Sequence, residues 1–182
     1  MRKIILTYGL IAGAIVSAMM LITMPMYKSG QLNHENGELT GYTTMVIALS
    51  VVFFGVKSYR DKQGNGAITF WKGVQIGLLI TLVAGAMYAL TWEYLYPQIG
   101  HEYMMTFTEQ HLNDLKSEGV SDAEIQEQRE YWTNFMELYK NPLVRIPITL
   151  FEILPVGIII TLISSALLRR KEFLPATKPV QQ

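Results

Sequence analysis

Four long runs of apolar residues divide the chain into segments of membrane-spanning length. They cover residues 4–26, 39–56, 67–92 and 142–168, and few charged residues interrupt them. A helix needs about 20 apolar residues to cross the hydrocarbon core of a bilayer. The runs lack the two-residue alternation of barrel strands, and open sheet edges find no hydrogen-bond partner in lipid. The pattern therefore predicts an all-α integral membrane four-helix bundle, formed by residues 1–182 as a single membrane domain.

The first run also invites comparison with a cleavable signal peptide, because Arg2 and Lys3 precede it. The apolar core of a signal peptide spans about 7–15 residues, and this run is longer. Residues 22–26 offer no small-x-small cleavage pattern. We therefore expect the first run to be retained as a membrane span.

Basic residues collect on one side of the predicted spans, as they do in cytoplasmic loops. Nine bases would lie on one side and four on the other. The nine are Arg2, Lys3, Lys57, Arg60, Lys62, Arg169, Arg170, Lys171 and Lys178, and the four are Lys28, Lys116, Arg129 and Lys140. This asymmetry predicts that both termini are cytoplasmic and that the protein lies in the bacterial inner membrane.

Composition supports a membrane protein and excludes several other classes. Charged residues make up 16% of the 182 residues, against about 25% in soluble proteins. The chain contains no cysteine, which excludes disulfides, thiolate metal sites and cysteine nucleophiles. Its 15 basic and 15 acidic residues balance, so net charge does not indicate a nucleic-acid partner. We expect the lipid bilayer to be the main partner.

Small residues recur every four positions in three of the runs. This spacing places them on one face of a helix, where they allow two helix backbones to approach closely. They are Gly9, Gly13 and Ser17 in the first run, Gly73, Gly77, Thr81 and Gly85 in the third, and Gly157 and Thr161 followed by Ser164 and Ser165 in the fourth. Glycine is also simply frequent in membrane helices, so single pairs are weak signals. The regular set in the third run predicts the centre of a packed bundle.

The longest polar stretch, residues 100–141, separates the third run from the fourth. Apolar residues recur at helical spacing in both of its halves, and Gly119 marks a stop between them. Ser121 and Glu124 have the spacing of a capping box at the start of the second half. Acidic outer faces argue against helices that lie on a membrane surface, which favour Lys and Arg. We expect an extracytoplasmic helical hairpin that stands on the bundle.

Two stretches of the chain resemble a family of small bacterial membrane proteins. They are residues 66–73, followed by Gly77, Tyr88, Trp92 and Tyr94, and residues 152–157, which continue through residues 162–166 to a basic stop. On these residues the chain resembles the domain-of-unknown-function family numbered 4199 over nearly its whole length. The resemblance implies four spans and an outer helical insert between the third and the fourth. It implies no activity, cofactor or catalytic residue.

Ionisable residues inside membrane spans are candidate functional residues by default. Lys72 lies about five residues inside its span, so its long stem can reach the cytoplasmic headgroups. Glu93 and Arg145 lie at the outer ends of neighbouring spans, where they can form a structural ion pair.

Glu152 lies two helical turns beyond Arg145, roughly 10 Å deeper in the membrane. A buried carboxylate is costly unless it is protonated or meets a partner. At matching depths, the expected neighbours are Ser17, Thr44, Thr81 and Tyr88. Pro155 predicts a kink in the same span. Glu152 is therefore a hydrogen-bonded peg that locks the bundle, a proton or ligand site, or a residue at the end of a water-filled access from outside.

Motifs of known chemistry are missing from the sequence. It contains no His-Glu-x-x-His, no Gly-x-Ser-x-Gly and no phosphate-binding glycine loop. We therefore predict no catalytic residue, no cofactor and no metal site.

The leading functional hypothesis is an accessory or interaction protein without catalysis, which forms a homo-oligomer or binds another membrane protein. It draws on the glycine faces and the outer hairpin. The rival is a small permease or lipid-handling protein that uses Glu152. A third hypothesis, an intramembrane enzyme, lacks the clustered reactive groups that it needs.

Overall fold

The computed structural model describes residues 1–28 and 34–175. In these residues the backbone forms seven α-helices and one π-helical turn. They are α1 (Arg2–Lys28), α2 (His34–Leu49), α3 (Val51–Gln63), α4 (Phe70–Leu95), the π-turn (Tyr96–Gly100), α5 (His101–Ser117), α6 (Asp122–Tyr139) and α7 (Pro142–Leu168). The predicted all-α class is confirmed. Lys178 and the side chain of Lys28, both used to predict orientation, lie outside the described part.

Four helical stretches are long and apolar enough to cross a membrane. They are Arg2–Tyr27, Leu39–Gln63, Phe70–Ser117 and Pro142–Leu168. Large apolar side chains cover much of their outward surface, for example Leu90 at 68% exposure and Phe151 at 75%. An exposed apolar surface of this extent is typical of helices that face lipid.

The second stretch continues past Val56, where its apolar run ends. It consists of α2 and α3, which meet at Ser50, whose hydroxyl donates a hydrogen bond of 2.7 Å to the carbonyl of Val46. Its polar final turns are stabilised by Lys57, which pairs with Asp61 one turn later at 2.6 Å. The helical stretch therefore reaches Gln63, seven residues beyond the predicted end of the span.

The third stretch also extends beyond its predicted end. The backbone remains helical from α4 through the π-turn into α5. Pro97 has no N–H to donate to the carbonyl of Glu93, so the regular α-helical bond is missing there, and the backbone widens into a π-turn. The predicted insert at residues 100–141 therefore begins within a continuous helical rod.

Helices α4 and α7 pack antiparallel through small residues. A Cβ atom added to Gly73 would meet Ser165 Oγ at 2.8 Å, and one added to Gly77 would meet Thr161 Cγ2 at 2.6 Å. In the same register, Gly157 lies against Thr81. Each four-residue step forward on α4 thus matches a four-residue step back on α7. The glycine lies on α4 at the first two of these contacts and on α7 at the third.

Helices α1 and α4 run parallel through a second set of small residues. A Cβ atom on Gly9 would meet Val83 Cβ at 2.6 Å, and one on Gly13 would meet Met87 Sδ at 2.5 Å. One step further, Thr91 Oγ1 donates a hydrogen bond of 2.9 Å to Ser17 Oγ. Helix α4 is therefore packed closely on two sides, as expected of the bundle centre.

Met1 and the last described residues, up to Pro175, lie at one end of the bundle, which we call the inner end. The N-terminal ammonium group of Met1 donates to Gln63 Oε1 at 2.7 Å. The fully buried Arg60 donates from Nη1 to the carbonyl of Phe173 at 2.8 Å and from Nη2 to that of Leu174. The start of α1 and the segment that follows α7 are therefore both hydrogen-bonded to the end of α3.

A fully buried apolar layer, which we call the inner seal, joins α2 and α3 to α4 near the inner end. It consists of Leu49, Val52, Val56, Ile76 and Ile80, each at 0% exposure. Close packing of this kind leaves no room for water.

Helices α5 and α6 lie against each other at the opposite end, which we call the outer end. The rings of Phe107 and Trp132 are 5.7 Å apart, and Arg129 Nη1 donates to Glu109 Oε1 at 2.5 Å. Ser121 caps α6 through the predicted reciprocal contacts with Glu124.

Candidate functional site

A partly open cavity of about 250 Å³ lies between the outer halves of the spans. We call it the outer cavity. Its walls are formed by Val16, Met19, Met20, Thr23, Met24 and Tyr27 of α1, Gly37, Gly41, Tyr42, Thr44 and Met45 of α2, Tyr88 of α4, Tyr103 and Phe107 of α5, and Glu152 of α7. Met and aromatic side chains dominate this surface, so an apolar ligand would find a deformable lining.

Glu152 is the acidic group of the outer cavity. Tyr88 donates a hydrogen bond from its hydroxyl to Glu152 Oε2, with an O···O distance of 3.0 Å. Helix α7 begins ten residues earlier at Pro142, which places Glu152 roughly 15 Å along the helix from its outer end. Since Glu152 lines the cavity and keeps an accessible surface, it is both hydrogen-bonded and open to the cavity.

Of the other expected neighbours of Glu152, one lines the same cavity and two are hydrogen-bonded elsewhere. Thr44 lines the same cavity. Ser17 accepts a hydrogen bond from Thr91, and Thr81 donates one of 3.0 Å to the carbonyl of Gly77 while packing against Gly157. Ser17 and Thr81 therefore make hydrogen bonds other than to Glu152, because equal depth in the bundle does not fix the direction in which a side chain points.

Glu93 and Arg145 form a bidentate ion pair at the outer end. Arg145 Nε donates to Glu93 Oε1 at 2.6 Å, and Nη2 donates to Oε2 at 2.5 Å. Arg145 Nη1 donates to the carbonyl of Tyr139 at 3.0 Å, and the guanidinium carbon lies 3.8 Å from the centre of the Tyr96 ring. This outer clamp (Glu93, Tyr96, Tyr139 and Arg145) ties α4, the π-turn, α6 and α7 together.

The outer clamp continues into the bundle through Tyr139. Trp92 Nε1 donates to the Tyr139 hydroxyl at 3.0 Å, and this hydroxyl lies 3.5 Å from Thr149 Oγ1. Burial raises the pKa of the Tyr139 phenol. The network satisfies polar groups that burial would otherwise leave without partners, so we assign it a structural role.

Lys72 lies at the opposite end of α4 from the outer cavity. Its Nζ donates to Gln75 Oε1 at 2.8 Å and lies 5.9 Å from the centre of the Tyr59 ring. The side chain is partly exposed. Lys72 is therefore too distant to neutralise Glu152.

Metal and cofactor chemistry has little support in this arrangement. Among the side chains that the structure describes, no three of His, Asp or Glu come close enough together to hold a metal ion. The absence of a cofactor and of catalysis remains a prediction.

Most of the residues of the cavity wall were not predicted from the sequence. Tyr103 and Phe107 of α5 belong to the segment predicted as an outer insert, yet they line the cavity beside Tyr27. The rings of Tyr27 and Tyr103 lie 5.2 Å apart, edge to face. The available signal was the series of Met residues in α1 together with aromatic residues at the outer ends of the spans.

The fold and this site define a class: helical proteins with four stretches of membrane-spanning length around one carboxylate-bearing cavity. The chain belongs to the family described as "Protein of unknown function (DUF4199)", which matches residues 7–170. The match confirms the resemblance carried by residues 66–73 and 152–157. Neither a curated protein nor a solved structure matches the chain.

Proposed function

We propose that this protein is a multi-pass membrane protein that binds an amphipathic small molecule in the outer cavity, without catalysing a reaction. The single observation that carries this proposal is Glu152, a hydrogen-bonded carboxylate at the wall of an otherwise largely apolar cavity. Binding sites for small ligands are commonly apolar cavities with a few placed polar groups.

The inner seal limits the function to one-sided access in the described conformation. Val52, Val56 and Ile80 are fully buried, and we infer that this packed layer separates the cavity from the inner end. A continuous pore would need a gap through this layer. We therefore favour a binding protein, or a carrier that must change shape, over a channel.

We propose further that the outer end faces the extracytoplasmic side of a bacterial inner membrane and that both termini are cytoplasmic. The bases Arg2, Lys3, Lys62, Arg169 and Arg170 lie at helix ends near the inner end, which fits the preference of Lys and Arg for the cytoplasmic side. In this orientation a ligand enters the cavity from the outer leaflet or from outside.

The accessory or interaction hypothesis has less support from the packing of the helices than from the spacing of small residues alone. Its main argument was the glycine faces, but Gly73 and Gly77 are occupied by α7, and Gly9 and Gly13 by α4. These faces stabilise the chain itself and are not spare surfaces for a second copy. A homo-oligomer or a membrane-protein partner remains a prediction that needs another surface.

The test is to extract and identify the small molecules that co-purify with the protein. Gly41 lines the cavity, and a Cβ atom added there meets nothing within 4 Å, so Gly41→Phe should fill space without a clash. Val46 lies on the same helix at 49% exposure, so Val46→Phe is the matched control.

We expect a lipophilic compound to accompany the wild type and Val46→Phe at near-stoichiometric amounts, and to be depleted at least about tenfold in Gly41→Phe. Equal amounts in all three proteins would refute the proposed function.

A further inference from the structure

The outer cavity has an unbalanced set of charges. Its described wall contains one carboxylate, Glu152, and no Lys, Arg or His side chain. The nearest basic group on the same helix, Arg145, is held by both oxygens of Glu93. Lys72 lies near the inner end, where it contacts Gln75. The described part of the cavity wall therefore supplies no counter-charge to Glu152.

Glu152 is only partly satisfied by the described residues. Tyr88 donates to Oε2, and no side chain that the structure describes donates a hydrogen bond to Oε1. A carboxylate in an apolar environment is stabilised by a positive charge or by hydrogen-bond donors. A ligand that brings a cationic donor would supply both.

The remaining wall also favours a cation with an apolar body. The rings of Tyr27, Tyr42, Tyr103 and Phe107 line the cavity, and aromatic faces attract organic cations. The thioethers of Met19, Met20, Met24 and Met45 offer an apolar surface that adapts to different shapes. An anionic lipid headgroup, in contrast, would meet a carboxylate with no base beside it.

We propose that the ligand of the outer cavity is a lipophilic amine: a protonated nitrogen that binds Glu152, with an apolar body among the Met and aromatic side chains. This inference rests on the proposed function and adds the chemical class of the ligand.

Three fluorescent probes that differ only in their head group test this proposal. Each carries a dansyl group on an undecyl chain, which ends in a primary amine, in its neutral acetamide or in a carboxylate. The full-length protein is placed in nanodiscs of zwitterionic phosphatidylcholine, so that lipid charge does not attract the amine. Binding is measured by energy transfer from protein tryptophan to dansyl, with empty nanodiscs as the blank.

We expect the amine to bind wild-type protein at least about tenfold more tightly than the acetamide, and the carboxylate to bind most weakly. Glu152→Gln should remove the preference for the amine. Glu130→Gln, at an exposed position of α6, removes the same charge outside the cavity and should leave the preference intact.

Failure of this inference is distinguishable from failure of the proposed function. If amine and acetamide bind wild-type protein equally and Gly41→Phe weakens both, the cavity binds ligands but cation recognition is refuted. If the carboxylate binds best, the inference is likewise overturned. If Gly41→Phe changes the binding of none of the three probes, the cavity is not the binding site and both proposals fail. The comparison of probes on wild-type protein holds even if Glu152→Gln does not fold.

Discussion

In the inner half of the bundle α3 and α4 meet directly, whereas in the outer half α2 lies across a cavity from α4. The inner half closes with fully buried side chains such as Val56 and Ile80. The outer half places a carboxylate and several aromatic rings around open space. The same four stretches thus build a tightly packed layer at one end and a cavity at the other.

The two halves also differ in what holds them together. Small residues bring helix backbones together at Gly73 and Gly77 in the inner half. In the outer half, where the helices are spread by the cavity, the ion pair of Glu93 and Arg145 supplies the connection. This difference teaches that close backbone contact joins α4 to α7 in the inner half, whereas a largely buried ion pair joins them at the outer end.

The largest loss of stability is expected when the ion pair of the outer clamp is broken. Arg145→Met leaves Glu93 half-buried without its partner, and breaking such a pair costs about 3–5 kcal/mol. We expect a lower unfolding temperature in detergent and faster hydrogen exchange in α5 and α6, with the inner half unchanged. Arg129→Met, which breaks the exposed pair with Glu109, is the control and should cost about 0–1 kcal/mol. Equal losses from both variants would show that the clamp does not hold the outer half.

A smaller effect is expected when the close packing of the inner half is disturbed. Gly77→Val would force side-chain atoms into Thr161 of α7, and overpacking of this kind typically costs about 1–3 kcal/mol. Gly41→Val is the matched control, because a side chain there meets open space. Thermal unfolding should separate the two variants. If Gly41→Val is as destabilising as Gly77→Val, the described packing of α4 on α7 is wrong.

The smallest effect is expected at the tip of the outer end. Ser121→Ala removes the cap of α6 and should cost about 1 kcal/mol. The side-chain hydroxyl of Ser121, and then its backbone N–H, hold the pKa of the Glu124 carboxyl below its usual range. A lowered folded-state pKa means that this contribution is present above the unfolded-state pKa and is lost as the pH falls through the folded-state pKa.

Hydrogen exchange of the first turn of α6 measures this effect. Acidification should speed exchange there in the wild type and have less effect in Ser121→Ala, with α4 unchanged in both. A wild-type first turn that is insensitive to acid would contradict the assigned cap.

The sequence could predict features that depend on local spacing or on charge pairing at equal depth. The four apolar stretches, the cap at Ser121 and the pair of Glu93 with Arg145 belong to this group. Four-residue spacing also marked the faces of Gly9 and Gly73, but it did not show which helix covers each face, because spacing within one helix carries no information about its partner.

The cavity could not be predicted for the same reason. It depends on how far α2 lies from α4 and on the continuous helical stretch that brings Tyr103 and Phe107 into the same cavity wall as Glu152. The helical extension beyond Val56 was missed because a hydropathy pattern reports where lipid contact ends, whereas a helix ends where its hydrogen bonds do.

The central claim, a cavity open toward the outer end and sealed from the inner end, is tested most directly by thiol labelling, since the chain contains no cysteine. Thr44→Cys places a thiol in the cavity wall, and Thr161→Cys places one in the fully buried α4–α7 contact. A membrane-impermeant maleimide should label Thr44→Cys in right-side-out vesicles and not in inverted ones, and should label Thr161→Cys in neither. Labelling of Thr44→Cys in inverted vesicles alone would contradict the account.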